Sequence, residues 1–275
     1  MSSDPHFETD CDFLRYQYDD ADKLRIRMES HALYSERTDT FAEWLLGHVA
    51  PAAGARLLDV GCGSGTYHAA LAASGVRITA CDSSAGMARE AAAQAATQRL
   101  DVASMRAGAE ALPCADGVFD IVMANHMLYH VPDIGSALGE ARRVLRRGGR
   151  AVFATNAADH SAPLHDLHRR AAIELGYTPA GSDGLRFTLD DLALVQSVFP
   201  SARAYVRADA FVFPDAVSAV RYYASYIVDA IEDRPADGSH RAPLAERVGA
   251  AIDEIVRVEG VFRVPKAAGC FVAAV

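Results

Sequence analysis

Several common features are missing from this 275-residue chain. Its five cysteines, at positions 11, 62, 81, 114 and 270, form no pair with zinc-ribbon or dithiol redox spacing. They read as reduced thiols scattered through apolar runs. No apolar run approaches the roughly 20 residues that a bilayer-spanning helix needs. The first dozen residues are acidic and lack the apolar stretch of a signal peptide, which gives the expectation of a cytoplasmic protein. Positive charge is in deficit: 27 Lys and Arg stand against 36 Asp and Glu, for a formal net charge of −9. A phosphate backbone is repelled by that balance, so no nucleic-acid partner is expected. There is no internal repeat and no low-complexity tract.

What is present is an ordinary globular composition, 51% apolar and 23% charged. The length suits one large α/β domain, or one with a covering insertion. Residues 13–36 scatter aromatic and aliphatic side chains among charges and predict one or two short amphipathic helices. Thr40-Phe-Ala-Glu43 fits a capping box, with Phe41, Trp44, Leu45, Leu46 and Val49 following at helical spacing. From Arg56 short apolar runs alternate with helical stretches. Strands are expected at 56–60, 76–81, 102–107, 119–124 and 150–155, with helices at 66–74, 85–99 and 133–145. This alternation implies right-handed βαβ units and a mostly parallel sheet. Further on, 188–199 reads as a helix capped by Thr188, and 203–213 as a strand. Two helices, 215–232 and 244–258, stand before a last strand at 261–275.

One segment carries chemistry. Leu57-Leu-Asp-Val-Gly-Cys-Gly-Ser-Gly65 is a buried strand running into a glycine loop, with a helix opening at Thr66. Glycines let the backbone turn sharply and approach a ligand closely. The helix start adds partly positive N–H groups. Open α/β sheets bind ligands at this end of their strands. Asp82, about 20 residues on, ends the second strand where a carboxylate accepts from ribose hydroxyls. A dinucleotide enzyme would want Gly-x-Gly-x-x-Gly, and position 66 is Thr instead of the third glycine.

The segment from Leu57 to Gly65 resembles the first motif of class I S-adenosylmethionine-dependent methyltransferases. Ile78-Thr-Ala-Cys-Asp-Ser-Ser-Ala-Gly-Met87 resembles the second. Ala109-Glu-Ala-Leu-Pro113 and Phe119-Asp-Ile-Val-Met-Ala-Asn125 resemble the third and fourth, and Val144-Leu-Arg-Arg-Gly-Gly149 resembles the turn before the fifth strand. The likeness covers roughly 40–156, in order. It implies S-adenosylmethionine as cofactor, bound by Asp59, Gly61, Gly63, Asp82, Ser83, Met87, Ala109, Glu110 and Asn125. Asp82 would hold the ribose and Met87 would pack on the adenine. One departure stands out. Many relatives carry Asp where this chain has Gly108, so the adenine must be held otherwise, with backbone at Ala109 and Glu110 as the candidate. Glu110 also reads as a solvated loop carboxylate.

Methyl transfer from a sulfonium is an in-line displacement in which the protein aligns the reactants and excludes water. A base is needed only if the acceptor must lose a proton. The fourth strand ends in Asn125-His-Met-Leu-Tyr-His-Val-Pro-Asp133, where related enzymes face the methyl group. There is no Asn/Asp-Pro-Pro-aromatic sequence, which argues against adenine or glutamine N-methylation. His126, Tyr18 and His31 are the catalytic candidates. Tyr16, Tyr34, Tyr129, His130, Tyr222 and Tyr226 are the substrate-side candidates. Each tyrosine has core packing as its alternative, and His130 an architectural role. His160, His165 and His168 have spacing that a metal could use, but no carboxylate pattern joins them and no metal is expected.

The resemblance implies a doubly wound, seven-stranded, mostly parallel sheet of the Rossmann-like methyltransferase type, with an N-terminal helical lid and a helical insertion before the last strand. Expected boundaries are a lid at 1–38, a cofactor-binding core at 39–158, and a C-terminal part at 159–275 with its insertion at about 214–258. The expected activity is methyl transfer to N or O of a small molecule, with C as a third acceptor atom, in a bacterial biosynthetic pathway. The expected protein is a monomer or homodimer with no membrane partner. A protein or RNA methyltransferase, a NAD-binding oxidoreductase and a non-methylating cofactor binder are the alternatives.

Overall fold

The computed structural model describes residues 21–180, 186–232 and 234–275. In chain order its elements are α1 (Ala21–Tyr34), α2 (Phe41–Val49), β1 (Arg56–Val60), α3 (His68–Ala73), β2 (Arg77–Asp82), α4 (Ala85–Gln98), β3 (Val102–Arg106) and β4 (Phe119–Asn125). There follow α5 (Ile134–Val144), β5 (Leu145–Asn156), α6 (Ala162–Glu174), α7 (Leu192–Val198), β6 (Arg203–Phe213), α8 (Ala216–Tyr223), α9 (Arg241–Glu259) and β7 (Phe262–Ala274). Single 3₁₀ turns lie at Leu128–His130 and Ile227–Asp229.

The strands form one seven-stranded sheet in the order β3-β2-β1-β4-β5-β7-β6. The pairs β1–β2, β1–β4, β2–β3 and β4–β5 are parallel, and β5–β7 is antiparallel. This is the expected α/β fold. Strand order reverses between β1 and β4: β1 leads outward to β2 on one side, and β4 lies on the other. Open α/β sheets bind ligands at the carboxyl ends of the strands at such a switch point. Leu57, Leu58 and Val60 of β1 are buried on both faces, so the strand reads as a continuous apolar run.

The chain divides into two units. One comprises Asp39–Ala158, Leu185–Arg207 and Ala268–Val275, and the other Met1–Thr38, Asp159–Gly184 and Ala208–Ala267. In the first, two apolar cores lie on the sheet. One packs Leu58, Val122, Leu138, Phe153, Phe187 and Phe271, and the other Leu45, Leu57, Leu71, Ile78 and Met123. The capping box at α2 is formed: Thr40 Oγ1 accepts from the N–H of Glu43, and Glu43 Oε2 accepts from that of Thr40. In the second unit Leu164, Phe211, Phe213, Tyr222, Tyr223, Leu244 and Ile252 form the core.

Three local expectations are corrected. The stretch 215–232 is not one helix. α8 stops at Tyr223 because Arg241 Nη2 donates to the Ala224 carbonyl at 2.6 Å and Arg27 Nη1 to that of Ser225 at 3.1 Å. Distant arginines thus claim carbonyls that helix N–H groups would otherwise take. The helix expected from 188 begins only at Leu192, because Thr188 N–H donates to Asp191 Oδ2 and holds a turn there. Helix α1 is not simply amphipathic. Met28 and Leu33 are exposed, while Lys23 and Ser30 are buried, Lys23 lying 3.9 Å from the buried carboxylate of Asp229.

Candidate active site

The site is built where β1 and β4 end. Gly61, Gly63 and Gly65 have φ of 65°, 54° and 86°, a region that side chains disfavour. Gly61 has a second constraint. A Cβ there would sit 2.6 Å from Met127 Cγ, so Met127 lies directly against the loop. Around a Cβ at Gly63 there is open space, as the close approach of a ligand to backbone requires. Cys62 N–H donates to the Cys81 carbonyl at 3.0 Å, which ties the loop to the end of β2.

Asp82 closes this arrangement. Its Oδ2 accepts from Gly63 N–H at 3.0 Å and its Oδ1 from Ser84 N–H at 2.8 Å. A carboxylate offers about four acceptor positions, so two remain for a pair of vicinal hydroxyls. Ser84 caps α4 by accepting from Met87 N–H, which sets the half-buried Met87 in the first turn beside Asp82. Ser83 is exposed. Asp59, on β1, is 1% exposed and meets His68 of α3, Nε2 to Oδ2, at 3.2 Å. Burial pushes the Asp59 carboxyl up, against the opposing pull of His68, and the charge of Asp82 pushes it further.

The segment expected on the adenine side runs from Ala107 to Cys114. Ala107 N–H donates to the Asp82 carbonyl, and Ala109 is buried. Gly108 is exposed, and no described residue approaches its Cβ position within 4 Å. Glu110 is exposed and accepts from Asp133 N–H at 2.9 Å, so its carboxylate anchors the start of α5. Sequence reasoning missed a clamp here. Arg143 donates to Glu140, to Asp116 and to the carbonyls of Leu112 and Cys114, all at 2.6–2.9 Å.

At the end of β4, Asn125 is 8% exposed and both polar atoms of its side-chain amide are buried, without a partner among the described residues. Native interiors seldom tolerate that, and an amide so placed fits a polar ligand at the strand end. His126 follows with φ of 53°, uncommon for a residue with a side chain and often a mark of function. Its ring lies tilted by 55° against that of Phe41, with centroids 5.1 Å apart. Tyr129 is buried in the core, its ring edge-on to that of His130.

These groups fit S-adenosylmethionine. Asp59, Gly61, Gly63, Asp82, Ser83, Met87, Ala109, Glu110, Asn125 and His126 all belong to one unit and gather at the ends of β1, β2, β3 and β4. Tyr129 and His130 follow Asn125 and His126 in the same unit. Tyr16 and Tyr18 lie outside the described residues. His31, Tyr34, Tyr222 and Tyr226 belong to the other unit. There Lys266 Nζ donates to His31 Nδ1 at 2.9 Å, and Tyr34 Oη to Ser218 Oγ at 3.1 Å. Tyr222 is 2% exposed, and its hydroxyl lies 3.3 Å from that of Tyr226. Ser161 Oγ is near enough to lower both phenols, though not in hydrogen-bonding geometry with either; burial outweighs it and raises both. Each histidine of 160–168 has a separate neighbour. His160 meets the Ala267 carbonyl, His168 meets Tyr223 and the Ala230 carbonyl, and His165 lies edge-on to Tyr226.

Residues 58–153 match the family described as Methyltransferase domain. The chain is 35% identical over 137 residues to malonyl-[acyl-carrier protein] O-methyltransferase of Pseudescherichia vulneris, covering 50% of this chain and 52% of that protein. It is 39% identical over 115 residues to demethylmenaquinone methyltransferase of Beutenbergia cavernae, covering 42% and 46%. The chain thus spans about half the length of the curated relatives it matches. Among solved structures, the [4+2]-cyclase SpnF superposes with a TM-score of 0.59 at 19% identity, covering 95% of this chain and 94% of that one. That likeness is one of fold, and fold alone does not name a reaction. The segment 58–153 is a class I methyltransferase domain, of the S-adenosylmethionine-dependent kind.

Proposed function

We propose that the whole chain transfers the methyl group of S-adenosylmethionine to an oxygen or nitrogen of a small molecule in a bacterial biosynthetic pathway, with carbon as the third acceptor atom. The observation that carries this reading is the pairing, at the end of β4, of the unpartnered buried amide of Asn125 with the left-handed His126. Relatives named for O-methylation, of malonyl-[acyl-carrier protein] and in ubiquinone biosynthesis, support acceptors of that kind.

In this reading Asp82 takes the ribose hydroxyls, Met87 and Ala109 flank the adenine, and the glycine loop with Asn125 takes the methionine end. The cofactor supplies an electrophilic methyl on a good leaving group. The protein's part is alignment and exclusion of water. His126 accepts a proton where the acceptor atom must lose one. Among the described residues no helix is long and apolar enough to cross a membrane; with the cysteine pattern this supports a cytoplasmic protein.

The test is transfer of isotopically labelled methyl from S-adenosylmethionine to a panel of carboxylic acids, phenols, quinols and amines. Label should appear in at least one acceptor. His126→Ala should lower turnover at least tenfold while changing affinity for S-adenosylhomocysteine less than threefold. Label entering only protein or RNA would replace this reading with the macromolecular one.

A further inference from the structure

We propose that His68 is a positioning residue for the cofactor loop, holding Asp59 and the third glycine so that the loop keeps its ligand-ready shape. This rests on the reading that S-adenosylmethionine binds at that loop.

The loop is a weak structure by itself. Three of its five residues are glycines with positive φ, and glycine loses more conformational freedom on ordering than any other residue. Its shape must therefore be set from its two ends. Asp59 stands just before it on β1, and His68 just after it as the first residue of α3. Their side chains meet at 3.2 Å and close the nine-residue span into a ring. The imidazole touches the loop a second time. A Cβ on Gly65 would lie 2.5 Å from His68 Nδ1 and 2.9 Å from Cε1, so the ring stands directly behind that glycine.

A purely packing role does not explain a histidine here. His68 is 2% exposed, and its Nδ1 is buried with no partner among the described residues. A leucine would fill similar space without leaving a polar atom unsatisfied. Buried ionisable pairs seldom stabilise more than apolar side chains of the same volume. What the imidazole adds is one bond, from Nε2 to Asp59. That bond orients a carboxylate at the root of a loop whose ligand carries a sulfonium and an ammonium, both positive. Asp59 depends on it, because the neighbouring charge is another carboxylate, Asp82.

The experiment compares His68→Gln, whose amide N–H reaches about as far as Nε2, with His68→Leu and the more adaptable His68→Met. S-adenosylhomocysteine affinity is measured by calorimetry, and folding by circular dichroism and thermal melts. The Gln variant should bind within threefold of wild type. The folded apolar variants should bind at least tenfold more weakly. Asp59→Leu combined with His68→Leu should be no weaker than the weaker single variant, because each change removes the same bond. Apolar variants that bind like wild type, or a folded Gln variant as weak as they are, would overturn the proposal. Absence of binding by wild type would instead remove the cofactor reading on which it rests.

Discussion

Asp82 and Gly63 are joined by a 3.0 Å hydrogen bond from the loop N–H to Oδ2, so the carboxylate assigned to the ribose also braces the glycine loop. Asp82→Ala removes both functions at once. Cofactor affinity should fall by about 1–3 kcal/mol, roughly five- to 150-fold, with a lower Tm for the ligand-free protein. Calorimetry with a parallel thermal melt checks both. An affinity loss with an unchanged Tm would assign Asp82 to the ligand alone.

Gly61 and Gly63 should respond differently to alanine. Both have positive φ, which costs a side chain about 1–2 kcal/mol. Only Gly61 has Met127 in the way. Gly61→Ala should therefore be the more destabilising in urea denaturation, by a further 1 kcal/mol or so of overpacking. Gly61→Ala combined with Met127→Ala should recover most of that difference.

The Arg143 clamp predicts that the adenine-side segment is held by charge. Arg143 bonding, foremost, keeps Glu140 below the usual carboxylate range against the effect of burial. This contribution to stability is present above the unfolded value near 4.3 and is lost as pH falls through the lowered folded value. Arg143→Lys cannot reproduce the planar fork. It should cost roughly 1–2 kcal/mol at pH 7 and less at pH 3, measured by chemical denaturation at both.

Lys266 and Asp209 form a buried pair at 2.9 Å, with Lys266 5% exposed. Burial raises Asp209, but the Lys266 bond and charge, helped by the N–H groups of Ala210 and Arg37, leave it below its usual range. In Lys266→Met the largest opposing pull is lost, the N–H groups of Ala210 and Arg37 remain, and the carboxyl moves up. A cost of about 3–5 kcal/mol is expected at neutral pH. It should shrink as pH falls toward 4 and Asp209 takes up a proton. Urea denaturation across that range checks the sign; a cost independent of pH would mean that lost packing, not charge, is responsible.

Local signals made much of this legible from residue order. The Thr40 capping box, the strand from Arg56 to Val60 and the glycine loop each depend on neighbours a few positions away. Asp82 was legible through its spacing from the loop. What escaped depends on long-range partners. The break after Tyr223 is made by Arg27 and Arg241, and the clamp on Leu112 and Cys114 comes from residues about 30 positions later. His68 lay inside a segment read simply as a helix, and nothing in His-Ala-Ala-Leu-Ala-Ala shows that its first residue turns back to Asp59. The bond between Lys266 and His31, 235 positions apart, likewise leaves no mark in the local sequence.

The proposed cofactor, a nucleoside with a methionine end, belongs at the carboxyl ends of β1 and β4. Its binding is measured by calorimetric titration of the full chain with S-adenosylhomocysteine, with Asp82→Ala as the control. Saturable binding of one molecule per chain is expected, weakened roughly fivefold or more in the variant. No saturable heat with the wild-type protein, or equal binding by a folded Asp82→Ala variant, would contradict it.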